Sequence, residues 1–489
     1  MQRTVTLTIL LAAAALSAAP AQAQQWSQAS LSEARGELKS ITVGDLSFFV
    51  AGRADTAASD VLDIYNAQTD TWTVRHLSIP RRGVGVAAVG NYVLFAGGGF
   101  FNQAPTAVID VWDVQAGTWA PSTSLSQGRA ELGATTVGDK VLFAGGILPG
   151  QVMSDRVDIY DSTLGPPSFR GAWTQGPALS VPRSFIAAET VGSKALFAGG
   201  GSPSTSYDTV DIYDDVSGLW SAATLSQARG IGNNSSISVG SLAIFAGGFL
   251  DSNAPMSNVV DIYDGLTDTW DVAQLSVGRS GAGIAALGNH VFIAGGLQGG
   301  PNPVSSAVVD RYNVATGRWD TIADLSVARS FLGGANGGNK ALFAGGLLGQ
   351  FSSTLLVDIY EPVGINYCGA AANSSGAAAS IDATGSASLA ANDLVLTAYD
   401  VPNTPFLFFH GGAQTQQPFG DGYLCAAGGI VRIGAPAVAA GGVAKTTVNL
   451  PSAGFTTPGT RNVQCWFRDV AAGGAGFNTS DAAAITFVP

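Results

Sequence analysis

The stretch YVLFAGG, residues 92–98, decides the fold, because the chain repeats it. An apolar run closed by Gly-Gly returns as VLFAGG (141–146), ALFAGG (195–200), AIFAGG (243–248), VFIAGG (291–296) and ALFAGG (341–346), with a degenerate FFVAGR at 48–53. Reading outward, each copy is followed by an apolar segment with an aspartate: VLDIY (61–65), VIDVW (108–112), VDRY (309–312), and VDIY at 157–160, 210–213, 260–263 and 357–360. A tryptophan comes next (Trp72, Trp119, Trp173, Trp220, Trp270, Trp319), then a Leu-Ser segment ending in an arginine (Arg81, Arg129, Arg183, Arg229, Arg279, Arg329). Successive arginines, counting Arg35, lie 46 to 54 residues apart. A period of that length marks one supersecondary unit that buries its apolar faces by stacking on its neighbours.

Each unit offers four short strands separated by turn residues. In the second they are GVGVAAV (83–89), YVLFA (92–96), AVIDVW (107–112) and TWAPS (118–122). The first strand is rich in Gly and Ala, as in ELGATTV (131–137) and SGAGIAAL (280–287), which suits strands converging on an axis. Gly-Gly permits a tight turn or a close backbone approach. In order and content these units resemble the kelch repeat, over residues 26 to about 361. The resemblance implies an all-β fold: a β-propeller of four-stranded antiparallel blades, an architecture that leaves only short, protected edges.

The opening QWSQASLSEAR (25–35) carries the tail of a repeat, whereas the last repeat stops at VDIY (357–360) without a tryptophan strand. The expectation is therefore a seven-bladed ring over residues 24–361, in which the Trp26 strand completes the final blade.

Residues 1–23 read as a secretory signal: Arg3, an apolar run from Leu7 to Ala19, and a small-x-small site at Ala21-Gln22-Ala23. The run is shorter than the roughly 20 residues of a membrane span. No later transmembrane segment and no lipidation motif is read. The expected location is extracellular or associated with a bacterial cell envelope. Charged residues make up 12% of the 489, and the net charge of −12 offers no basic footprint, so nucleic acid is not an expected partner. The chain is read as a monomer.

After Glu361 the repeat ceases. Residues 362–489 contain alternating or apolar stretches, DLVLTAY (393–399), FLFFH (406–410), GIVRIG (429–434), KTTVNL (445–450), NVQCWF (462–467) and AAITFV (483–488), that suit a small β-sandwich. NYCGAAANSSG, FGDGYLC, VQCWFRD and GFNTSDA resemble a C-terminal module of secreted bacterial proteins, which implies export but no chemistry. Three cysteines allow one disulfide. In an exported domain Cys368–Cys425 is the preferred pair, leaving Cys465; the alternative is three free, buried thiols.

Two charged positions recur once per repeat: Arg35, Arg81, Arg129, Arg183, Arg229, Arg279 and Arg329, and Asp63, Asp110, Asp158, Asp211, Asp261, Asp310 and Asp358. In a chain this poor in charge they read as scaffold partners, the planar guanidinium suiting bidentate pairing. Carboxylates spread around a ring do not converge on one ion. No metal or cofactor is expected. A galactose-oxidase-like copper site is excluded, because the propeller has no cysteine and only His76 and His290. Glu131 and Glu189, on expected inner strands, lack a third catalytic element and read as channel carboxylates.

No catalytic residue is assigned. The expected role is a protein- or glycan-binding module, with a carbohydrate-active enzyme, epimerase-like or hydrolase-like, as the alternative. The expected binding face carries the residue after each ring arginine, including Arg82, Ser184, Ser280 and Ser330, and the loops after Gly-Gly, with Phe100, Phe101 and Phe249 as apolar anchors.

Overall fold

A computed structural model describes residues 25–99, 104–165, 172–202, 204–232, 234–250, 254–349 and 352–489. The expected leader, and Phe100 and Phe101, lie outside the described residues. The repeats form seven four-stranded antiparallel sheets. In the second, the strands are Gly85–Val89, Tyr92–Ala96, Val108–Asp113 and Thr118–Ser124, hydrogen-bonded in chain order. Its first strand starts later than expected because Gly83 turns into the left-handed region, φ 65°.

Burial follows position in the sheet. Strands two and three are almost wholly buried, as in Tyr92–Ala96 and Val61–Asn66, whereas fourth strands such as Thr71–His76 are mostly exposed. First strands of neighbouring sheets lie side by side in a closed series, from Lys39–Val43 through Gly85–Val89, Gly133–Val137, Ala187–Val191, Ser236–Val239, Gly283–Leu287 and Gly333–Gly337 back to Lys39–Val43. The apolar core is divided into packets between adjacent sheets; Leu31, Leu38, Phe49, Tyr65, Leu342 and Ile359 make one of them. This is an all-β, propeller-like arrangement.

The seventh sheet takes its fourth strand from the other end of the chain. Trp26–Ser30 pairs antiparallel with Leu356–Tyr360, Trp26 opposite Tyr360. The rings are 5.1 Å apart, matching Trp72–Tyr65 at 5.2 Å and Trp270–Tyr263 at 5.1 Å. Trp26 thus fills the repeat's tryptophan position.

The Gly-Gly pairs serve seams between sheets. Gly97 and Gly98 have φ of 64° and 92°, and a Cβ on Gly97 would sit 2.4 Å from the carbonyl oxygen of Arg129, in the crossover to the next sheet. The Gly98 N–H donates to that oxygen at 2.8 Å, as Gly146 does to Arg183 and Gly346 to Arg35. No side chain fits there.

The same arginines turn their side chains inward. All seven are buried, and each pairs with the aspartate of its own sheet's third strand: Arg81–Asp110 at 2.7 Å, Arg183–Asp211 at 2.8 Å, Arg229–Asp261 at 2.7 Å and Arg329–Asp358 at 2.9 Å, with Arg35–Asp63, Arg129–Asp158 and Arg279–Asp310 alike. Each guanidinium also donates to a strand-two carbonyl, as Arg183 does to Phe197 at 3.0 Å. The aspartates accept in addition from serine N–H groups of the crossover, Ser180 to Asp211 at 3.1 Å for example. Burial holds the arginines below their ordinary value, while the partner carboxylates pull the other way.

Beyond the repeats, Ile365–Tyr367, Phe477–Phe487, Gly459–Arg468, Pro405–Gly411 and Val431–Val438 form a five-stranded sheet. It shares a core with the three-stranded sheet Ser380–Thr384, Val395–Tyr399 and Val443–Thr447, through Ile381, Leu396, Phe408, Val463 and Ile485. Cys368 and Cys425 are joined in a disulfide with Cα atoms 6.2 Å apart, and Cys465 is a buried thiol.

This region docks on the sixth repeat sheet, where that repeat departs from its siblings. Arg311 stands where the other repeats have Ile or Val. It pairs with Asp320 at 2.7 Å and reaches across to Asp382 at 3.0 Å. Asn313 donates to Asp481 at 3.0 Å, and Arg318 stacks 3.9 Å from the Tyr399 ring centre. Burial pushes Asp481 up to about 6, against hydrogen bonds from Asn366, Asn313 and the Ile381 N–H. Burial, and secondarily Arg311, push His290 down to about 3.

Candidate functional site

Two cavities meet on the axis. A channel of about 590 Å³ is lined by the first strands, and a mouth of about 360 Å³ opens above it. Lys39 and Asn234 line both. Asn234 reaches across the channel top, its Nδ2 donating to the Leu38 carbonyl at 2.7 Å and the Leu332 carbonyl at 3.2 Å.

The mouth is built by the second residue after each ring arginine. At six of the seven repeats that residue is left-handed: Glu37 (φ 55°), Gly83 (65°), Glu131 (51°), Phe185 (54°), Gly281 (61°) and Phe331 (53°). In the fifth repeat Gly232 takes that conformation (70°), one residue after Ile231. Backbone bonds link these positions, Glu131 N–H to Gly83 O at 2.8 Å, Phe185 N–H to Glu131 O at 3.1 Å and Glu37 N–H to Phe331 O at 2.8 Å. A left-handed non-glycine residue costs about 1–2 kcal/mol. Such strain is retained where the surrounding structure over-determines it, often at ligand clamps.

The walls are unlike. On one side Glu37 is paired with Arg82 and with Arg53, the latter at 3.6 Å. Lys39 and Glu131 share this side. Burial pushes Lys39 below the ordinary lysine value and Glu131 above the ordinary carboxyl value, although each charge partly opposes the other's shift. On the other side stand Phe185, Phe249, Phe331 and Ile231. Phe249 packs edge-on against Phe185 at 5.6 Å and covers Gly230, where an added Cβ would meet the ring at 2.1 Å. Deeper in the channel, Glu189 accepts from Ser236 and Ser238, both at 2.8 Å, and burial still lifts it to about 7.

Of the expected binding residues, Arg82, Phe249 and Ser280 line the mouth. Ser184 and Ser330 are buried, and Ser280 is 5% exposed at the mouth's edge. Ser184 and Ser330 are therefore not free for recognition, contrary to expectation. The backbones of all three serines bridge the loop after Gly-Gly, Ser184 to Gly201, Ser280 to Leu297 and Ser330 to Leu347, and that bridge turns the following residue into the mouth. Glu37, Lys39, Phe185 and Phe331 lie outside the binding face expected from sequence, and Glu131 is expected only as a channel carboxylate. Glycine at the same position in two repeats, Gly83 and Gly281, was the signal: it marks a left-handed backbone beside the axis.

A kelch motif matches residues 278–326, which is the sixth repeat. No curated protein sequence matches the chain. Among solved structures the chain is similar to YjhT, a kelch-type propeller, at 14% identity and a TM-score of 0.44, over 59% of this chain and 95% of that one. Among the described residues no helix is long and apolar enough to cross a membrane.

Proposed function

We propose that the chain is an exported, seven-bladed kelch propeller, closed by the Trp26–Ser30 strand and followed by an accessory β-sandwich, that binds a protein or glycan ligand at the channel mouth. Seven four-stranded sheets and the cyclic adjacency of their first strands support the blade count. The leader-like residues 1–23 and the disulfide support export.

The observation that carries the binding reading is the mouth's two walls, one of charge, with Arg82, Lys39 and Glu131, and one of aromatic rings. Binding sites pair an apolar lining with a few convergent polar groups. A sugar ring or a peptide side chain can lie on Phe185 and Phe249 while its polar edge meets the charged wall. The test is a glycan and cell-envelope binding screen of the full chain, repeated with Phe185→Ala. A ligand that binds the variant unchanged would refute the mouth as the site.

The enzyme alternative is favoured by one observation, that Lys39 and Glu131 face one cavity with shifts in opposite directions. Such groups are typical of acid–base sites.

A further inference from the structure

We propose that Lys39 is a nucleophilic amine that captures aldehydes and ketones entering the mouth as imines, with Glu131 as proton donor. This rests on the mouth being the ligand's point of entry, and it names a chemical class for that ligand, a carbonyl compound, which includes the open-chain form of a reducing sugar.

Placement carries the inference. The chain has five lysines. Lys140, Lys194 and Lys340 are held in ion pairs with Asp215, Asp268 and Asp70 at 2.6, 2.8 and 2.9 Å. Lys445 is exposed, on the accessory region. Lys39 is half-buried and lines both axial cavities, and among the described residues no ion pair or hydrogen bond holds its ammonium group. Glu131 lines the same mouth and lies close enough to feel the charges of Lys39 and Arg82, while Arg82 and Arg53 both pair with Glu37. A compact ammonium in a confined, partly desolvated site gives up its proton readily, which is how lysines become Schiff-base nucleophiles. The direction of both shifts agrees: Lys39 is held down and Glu131 up, so the free amine and the protonated acid are each more populated than for an ordinary lysine and glutamate.

The step balances without a further reagent. The neutral Nζ adds to the carbonyl carbon, forming the C–N bond, and the carbonyl oxygen takes a proton from Glu131. The carbinolamine nitrogen loses its proton to the Glu131 carboxylate, and the hydroxyl, reprotonated from Glu131, leaves as water. The second N–H proton is released as the C=N bond is established, returning Glu131 to its starting state. The net change is amine plus carbonyl to imine plus water.

The experiment incubates the full chain at pH 7.5 with glycolaldehyde and sodium cyanoborohydride, which traps imines as stable secondary amines, and follows each lysine by peptide mass spectrometry. Lys445 is the internal reference. A lysine held below its ordinary value carries more free amine at this pH. Lys39 is expected to gain adduct several-fold faster than Lys445. Glu131→Gln is expected to cut that ratio while leaving Lys445 unchanged, with the circular dichroism spectrum checking that the variant is folded. Lys39→Arg must abolish the fast adduct and serves as a second folded control. Equal rates at Lys39 and Lys445 would overturn the inference, and an unchanged ratio in Glu131→Gln would overturn the role of that carboxyl. The readout needs no biological ligand. A fast Lys39 adduct with no hit in the binding screen would refute only the binding reading, and a hit without the adduct only the chemistry.

Discussion

Seven arginines and one lysine show two uses of positive charge in a charge-poor chain. The ring arginines are buried, and each is fixed by its own aspartate and by backbone carbonyls. Lys39, four residues after Arg35, lines the axial cavities and is held by neither. The difference is one of geometry. The arginines sit in the crossover between sheets, where strand carbonyls and an aspartate converge; Lys39 opens a first strand, where its side chain meets the cavity. The first set holds the ring together, and the second remains available to a ligand.

The contrast can be broken first at the ring. Asp211→Ala leaves Arg183 buried without its carboxylate partner, and breaking a buried pair typically costs about 3–5 kcal/mol. The urea midpoint is expected to fall accordingly. Trp26→Ala should cost about 3 kcal/mol, the low end of the range for losing a large aromatic, because Trp26 is only half-buried. A Trp26→Ala protein that melts with the wild type would contradict ring closure by that strand.

Weaker effects are expected inside the channel. Glu189 is raised to about 7 in the folded protein, well above a carboxyl's ordinary value. The folded state therefore binds this proton more tightly than the unfolded state, and the contribution to stability falls as pH rises from about 4.5 toward 7. Asp481, raised to about 6, acts in the same direction, whereas His290, lowered to about 3, removes stability as pH falls below about 6.5. Glu189→Gln isolates one of the three. Its melting temperature should exceed that of the wild type at pH 8 and match it at pH 4.5. Glu131→Gln is expected to act in the same direction as Glu189→Gln, since burial raises this carboxyl too, against the pull of Lys39 and Arg82: its melting temperature should not fall below that of the wild type at pH 8.

Much of the scaffold was legible in the sequence. Strong periodicity marks the sheets: the Gly-Gly pair, the aspartate and the tryptophan recur because each faces a seam repeated at every junction. The mouth was legible only by one residue's displacement. The repeat points to Arg82 and Ser280, but to Ser184 and Ser330 rather than the adjacent Phe185 and Phe331, because a left-handed bend that sends one residue inward and buries its neighbour leaves no period in hydrophobicity. Lys39 was hidden for a different reason. It lies on an inner strand otherwise filled by small residues, and a single lysine there reads as an ordinary departure from the repeat. The docking surface on the sixth sheet, by contrast, is written as an exception, with Arg311 in a column of Ile and Val.

The claim that separates the two charge sets most directly is that the mouth, not the ring, meets the ligand. A ligand obtained from the glycan and cell-envelope screen should be titrated by calorimetry against the wild type, Phe185→Ala and Glu131→Gln, each shown to melt within a few degrees of the wild type. Truncating a binding anchor commonly costs about 2 kcal/mol or more, roughly a thirtyfold loss of affinity. The expected result is a loss of that order in Phe185→Ala and at least about tenfold in Glu131→Gln. Unchanged affinity in both folded variants would contradict the account.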